Sequence, residues 1–328
     1  MSTSAISQAF SDAYGMTVIG MLFSWTFFGG TIAQIFYYFQ NYPKDKLRMK
    51  LFVVLLFALD VVKEINAVWY RVVANRGNIY VAGIWTSSDY VVWVVSALAV
   101  ACVQWFYIRN IWILTRNQWI RVSLTVAAFT LTILALGATF GLTYSAFVYE
   151  TYLAQMSTGR NEDATLAGLL VPGRIQSVTE LALNVYISLS LVFILRGAKS
   201  GFKTTDNMIS RLITYVVNRG LLLFVLQFLE VILYNADGKL GDTRSTLFYY
   251  ASSTIHINTA LIVLNERRRI RDEDSIDSDS KYTTPLSEFQ VAGLEEAASS
   301  SLYPDAEMQA RSAGRSVEFA KQSQLTGD

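Results

Sequence analysis

Eleven side chains carry charge or hydrogen-bonding groups inside long apolar runs: Asp60, Lys63, Glu64, Gln104, Glu180, Asn184, Asn218, Arg219, Glu230, His256 and Asn258. An ionisable group at membrane depth is costly, so it marks an ion path, a ligand contact or a structural ion pair. On a helix, Lys63 and Glu64 fall within about 60° of Asp60, and the three share a face. Lys63, one helical step away, neutralises Asp60 in part. Arg219 and Glu230 are eleven residues apart and nearly share a face, flanked by Asn218 and Gln227. Glu180 and Asn184 are one turn apart.

Metal chemistry is poorly supplied. His256 is the only histidine and Cys102 the only cysteine. That leaves no polyhistidine or multi-cysteine metal site and no intramolecular disulfide. Two readings of His256 stand: a group that titrates near neutral pH, or a buried ring bonded to a neighbouring helix. Cys102, inside an apolar run, reads as a packing residue. No glycine-rich phosphate loop, nucleophile elbow or zinc-helix motif occurs. Neither an enzyme activity nor a cofactor is expected. The seventh apolar run has no lysine to hold a retinal.

These residues must be positioned by elements suited to a bilayer. Of 328 residues, 52% are hydrophobic and only 16% are charged, against about a quarter in soluble chains. A hydrocarbon core about 30 Å thick takes roughly 20 apolar residues in helix. Seven runs meet that length: Tyr14–Phe39, Leu51–Val73, Tyr90–Leu114, Ile120–Tyr144, Gln176–Leu195, Met208–Tyr234 and Thr246–Leu264. The second and sixth carry internal charges, which lower their hydropathy. The fold class is therefore all-α, a seven-helix transmembrane bundle. It divides into a tail over residues 1–13, a membrane domain over 14–271 and a polar tail over 272–328. Pro43, Pro172, Pro285 and Pro304 all lie outside the predicted spans, and no 3+3 repeat of the transporter kind is visible.

Basic residues set the orientation. One set of gaps holds Lys44, Lys46, Arg48 and Lys50, then Arg116 and Arg121, then Arg196, Lys199 and Lys203, and finally Arg267, Arg268, Arg269 and Arg271. The alternate gaps are poorer, with Arg71, Arg76, Arg160, Arg174, Lys239 and Arg244. The richer set belongs in the cytoplasm, which puts the N-terminus outside. Trp69 and Trp85 then fall at the outer boundary, and Trp112 and Trp119 at the inner one. Asp60 and Arg219 come out at similar depth, about ten residues from the cytoplasmic ends of parallel spans. Neither charge has another cheap partner in lipid, so the two are expected to meet.

Two further features stand apart from the charges. Gly137 and Gly141 have the small-x-x-x-small spacing that lets helices approach closely, within the bundle or in a dimer. From Asp272 the chain turns acidic and serine-rich, and such a segment is expected to be disordered. Ser275, Ser278, Thr283 and Thr284 are candidate phosphorylation sites there. The preceding cluster Arg267–Arg271 suits anionic headgroups.

Particular residues also carry a family resemblance. Gly29-Gly30, Gln34, Tyr37-Tyr38-Phe39, Tyr42-Pro43-Lys44-Asp45 and Asp60 resemble the first two spans of a family of fungal seven-helix membrane proteins. The likeness is stronger in Thr205-Asp206-Asn207-Met208-Ile209-Ser210-Arg211-Leu212-Ile213, Asn218, Gly220-Leu221-Leu222, Asn258 and Leu264-Asn265-Glu266-Arg267. The family is one of the domains of unknown function abundant in mushroom-forming basidiomycetes. The resemblance implies a seven-helix membrane fold and brings no established activity.

The reading favoured by topology and tail is a receptor-like sensor in the plasma membrane. Its outer opening would be rimmed by Trp69, Trp85, Asp89, Glu180 and Glu230, and its tail regulated by phosphorylation. Its expected partners are the bilayer, a small ligand and cytoplasmic proteins bound to the tail; nucleic acid is not expected. The alternatives are a small-solute transporter or channel using Asp60, Arg219 and His256, or a structural membrane protein without ligand.

Overall fold

The computed structural model describes residues 3–68, 87–155, 162–198, 203–236 and 244–282. They form seven α-helices: α1 (Thr3–Asn41), α2 (Leu47–Val68), α3 (Ser87–Leu114), α4 (Gln118–Gln155), α5 (Glu162–Gly197), α6 (Lys203–Ala236) and α7 (Thr246–Tyr282). Among the described residues there is no strand. Contacts divide the chain between Arg271 and Asp272. Six helices are long and apolar enough to cross a membrane; α2 falls short. The reason is Asp60, Lys63 and Glu64, all of which are buried. The chain is thus a multi-pass membrane protein in which the three charges of α2 are turned inward.

Apolar surface is distributed as a bilayer demands. Phe129, Ile133, Leu134, Phe140 and Phe147 of α4 are exposed, an arrangement that would aggregate in water but suits contact with lipid. Only 22% of the spanning window of α4 is buried, against 72% for α7. So α7 is the central helix and α4 an outer one. Around α7 the core joins Tyr38 of α1, Leu56 of α2, Val103 of α3, and Leu183 and Ile187 of α5. Trp112 and Trp119 are exposed, and the Arg121 guanidinium lies 4.4 Å from the Trp112 ring centre.

The helix ends differ from the sequence expectation in three places. The N-terminal stretch read as a tail is already helical from Thr3, since no proline or glycine interrupts it before Gly15. At the other terminus α7 continues past Arg271 into the acidic run as far as Tyr282; extending an existing helix avoids the cost of a new nucleus. Pro172 lies inside α5, within the membrane-crossing part of that helix, so the expectation that all prolines fall outside the spans is corrected. Membrane helices tolerate such a proline because neighbours compensate for the lost hydrogen bond. Here a Cβ at Gly141 of α4 would lie 3.8 Å from Pro172 Cβ, and a Cβ at Gly173 would collide with the Tyr234 ring of α6. Residues 172–173 are therefore where α5 receives both neighbours.

The closest helix approaches are not at the Gly137 and Gly141 pair. A Cβ at Gly137 would meet nothing within 4 Å. One at Gly20 would stand 2.8 Å from the Thr246 carbonyl oxygen and 3.0 Å from Leu247 Cα. Backbone cannot swing aside as a side chain can. We expect Gly20→Ala to destabilise the bundle by about 1–3 kcal/mol and Gly137→Ala to leave it unchanged or slightly more stable. Unfolding midpoints of the two variants in one detergent check this; equal shifts would refute it.

Candidate functional site

Three buried charges of α2 form one cluster against α1 and α7. Lys63 Nζ lies 2.9 Å from Glu64 Oε1 and 3.4 Å from Asp60 Oδ1. Also within reach of its three N–H groups are Ser24 Oγ at 3.0 Å, Ser253 Oγ at 3.2 Å, the Tyr250 carbonyl at 3.2 Å, and Thr254 Oγ1. Asp60 accepts from Thr254 Oγ1 at 2.8 Å and Thr31 Oγ1 at 3.2 Å. Ser24 Oγ lies 2.5 Å from Glu64 Oε1. Helical spacing within α2 brings the charges together, but hydroxyls of α1 and α7 complete their coordination. One ammonium faces two carboxylates, and Glu64 Oε2 is buried without a hydrogen-bond partner.

Below this cluster, α1 and α7 are stitched by amides. Asn258 Nδ2 donates to the Phe27 carbonyl at 2.9 Å and Thr31 Oγ1 at 3.1 Å, while its Oδ1 accepts from Gln34 Nε2 at 3.0 Å. Asn265 Nδ2 donates to the Gln34 carbonyl at 3.0 Å, and Tyr42 Oη donates to the Asn265 carbonyl at 2.7 Å. Tyr38 Oη donates to Asp45 Oδ2 at 2.9 Å across the α1–α2 turn. Gln34, Tyr38, Tyr42, Asp45, Asn258 and Asn265 thus form one seam and its adjoining turn.

A second network joins α5, α6 and α7. His256 Nδ1 lies 2.8 Å from the Ser252 carbonyl, which can only accept, so that nitrogen holds the hydrogen. Its Nε2 then accepts from Asn184 Nδ2 at 3.1 Å. The same amide nitrogen lies 3.0 Å from the Glu180 carbonyl and 2.9 Å from Gln227 Oε1. Two N–H groups thus face three acceptors. Next to this network is a cavity of about 10 Å³, lined in part by Ser96 of α3, Glu180 of α5, Glu230 of α6, and Tyr249, Ser252 and Ser253 of α7. Glu180 accepts from Gln176 Nε2 at 3.1 Å; Glu230 has no hydrogen-bond or ion-pair partner among the described residues. Ser253 Oγ, 3.4 Å from Ser96 Oγ, touches both Lys63 and this cavity, so the two buried clusters adjoin.

The expected meeting of Asp60 and Arg219 does not occur. Asp60 pairs with Lys63. The Arg219 guanidinium instead stacks over Tyr107 of α3, with its carbon 3.4 Å from the ring centre. Its three nitrogens are buried and have no hydrogen-bond acceptor among the described residues. Asn218 is exposed, because the residue beside Arg219 is turned 100° away from the inward face. Gln104 is buried with its Nε2 unpartnered. The anticipated outer rim is corrected as well. Asp89, Glu180 and Glu230 are buried, and Tyr250 Oη donates to Asp89 Oδ1 at 3.3 Å. Burial against α7 leaves them inside the bundle. Trp69 and Trp85 lie outside the described residues, as do Thr283 and Thr284; Ser275 and Ser278 fall within α7.

Sequence reasoning overlooked the neutral partners: Ser24, Thr31, Ser96, Tyr107, Gln176, Tyr249, Ser252, Ser253 and Thr254. The available signal was a cluster of hydroxyls in the seventh span, Ser252-Ser253-Thr254, too polar a run for a lipid-facing surface.

Residues 180–269 match a family described as a family of unknown function (DUF6534). The matched region holds Glu180, Asn184, Arg219, Glu230, His256 and Asn258, and so the α5–α6–α7 network together with the α7 partners of Lys63. No curated protein and no solved structure matches the chain.

Proposed function

We propose that this protein is a receptor-like membrane sensor, and that the signal it registers is the state of the cavity between α3, α5, α6 and α7. The observation that carries this reading is the meeting of side chains from four helices around one small space. Any change of charge or occupancy there acts on all four at once, which is what a bistable bundle requires. The central helix α7 contributes Tyr249, Ser252 and Ser253 to the cavity, Thr254 to the Asp60–Lys63 cluster and His256 to the amide network. It is the natural relay. On the positive-inside rule the N-terminus is outside, the cavity lies in the outer half of the plasma membrane, and the tail bearing Ser275, Ser278, Thr283 and Thr284 is cytoplasmic. Phosphorylation there would regulate cytoplasmic partners. The likeness to fungal seven-helix proteins belongs to the same proposal.

Deleting residues 272–328 tests the output side. The truncated protein is expected to retain its unfolding midpoint while the cellular response and its trafficking are lost; unchanged phenotypes would sink the sensor reading. Reconstituted liposomes supply the contrast. Sustained flux of tracer ions or protons above protein-free vesicles would establish a transporter instead.

A further inference from the structure

We propose that the cavity is a binding site for one sodium-sized, hard monovalent cation, held between Glu180 and Glu230 with the Ser252 hydroxyl as a neutral ligand. This deepens the sensor reading and rests on the same cavity. Its volume of about 10 Å³ is room for a single water or one dehydrated ion of similar size. Two carboxylates converge on it from α5 and α6. No described basic side chain pairs with either, and Lys63 is already engaged by Asp60 and Glu64. Burying both charges in low dielectric without a counter-charge is prohibitive, so one carboxyl is neutral and the cation offsets the other.

The Ser252 hydroxyl is the independent sign of a ligand. Hydroxyls on membrane helices ordinarily bond back to the carbonyl one turn earlier, as Thr132, Thr139 and Thr143 do here. Ser252 does not. It is 7% exposed, lines the cavity and has no side-chain partner among the described residues. Its oxygen, with the carboxylates, offers the hard donors that alkali ions accept. A bound proton would need neither a cavity nor a neutral oxygen. Among the described residues no group of three acidic, histidine or cysteine side chains is placed to hold a metal.

The test uses the full-length chain in detergent micelles, comparing thermal unfolding in sodium chloride with choline chloride at equal ionic strength and pH. Sodium is expected to raise the midpoint saturably, and tracer sodium to bind at one ion per chain. Glu230→Gln should abolish the sodium-dependent shift. Ser252→Ala, a mild change that keeps the fold, should weaken apparent sodium affinity about tenfold, and it decides the matter if Glu230→Gln does not fold. Equal midpoints in sodium and choline would overturn the proposal. So would a response that follows pH alone, or one that calcium produces and sodium does not. Sodium binding with no effect of tail deletion would leave the ion site standing and remove the sensor. A lost cellular response without sodium binding would do the reverse.

Discussion

Lys63→Met is expected to destabilise the bundle by about 3–5 kcal/mol, the range seen when one partner of a buried ion pair is removed. The ammonium sits against Asp60 and Glu64, at 3.4 and 2.9 Å. Without it, two carboxylates face each other across a site sealed by Ser24, Thr31 and Thr254. Neither has water to turn to, because both residues are buried. The cost belongs to the stranded anions more than to the lost attraction. Adding Asp60→Asn and Glu64→Gln to Lys63→Met should therefore recover most of the loss, since a neutral hydrogen-bonded cluster has no charge to bury. Reversible unfolding of wild type, single and triple variants measures both effects. A triple variant no more stable than the single one would show that the cluster acts through shape and not through charge.

Arg219→Met is expected to move stability the other way, raising it by about 1–4 kcal/mol. The guanidinium is buried with three nitrogens lacking an acceptor. Its one evident compensation is the Tyr107 ring at 3.4 Å, and a cation–π contact contributes about 2 kcal/mol when desolvated. An unpaired buried cation costs more than that, and methionine fills much of the same volume. Unfolding of the Met and Lys variants, with Tyr107→Leu as companion, separates the terms. Arg219→Lys should not recover the contact, because an ammonium cannot lie flat on a ring. A clear loss of stability in Arg219→Met would mean that an acceptor satisfies the guanidinium after all. If the gain is found, a residue that weakens the bundle is being kept for something other than stability, in keeping with a charge that shifts between states.

Much of this was legible in one dimension because a bilayer imposes a length. Seven apolar runs become the helices α1 to α7, six of them long and apolar enough to cross a membrane, and α2 keeps its three charges on one face. Face-sharing within a helix follows from the residue repeat alone, so the spacing of Asp60, Lys63 and Glu64 is enough to group them. Partners between helices have no such signature. Equal depth made Asp60 and Arg219 look like a pair, yet depth is one coordinate and rotation about each axis is another. Rotation turned Asp60 toward α1 and α7, and Arg219 toward Tyr107 of α3.

The neutral ligands were harder still. Serine and threonine are common on membrane helices and usually satisfy themselves on their own backbone, so sequence does not distinguish Ser252 from Thr132. Only the packed bundle reveals that one bonds to its own turn and the other faces a space shared with two carboxylates. From the sequence come the number of helices, their length and the face each charge occupies, all properties of a single helix in lipid. Tertiary packing alone decided which faces meet, because satisfying a buried charge depends on atoms that lie far apart in the chain.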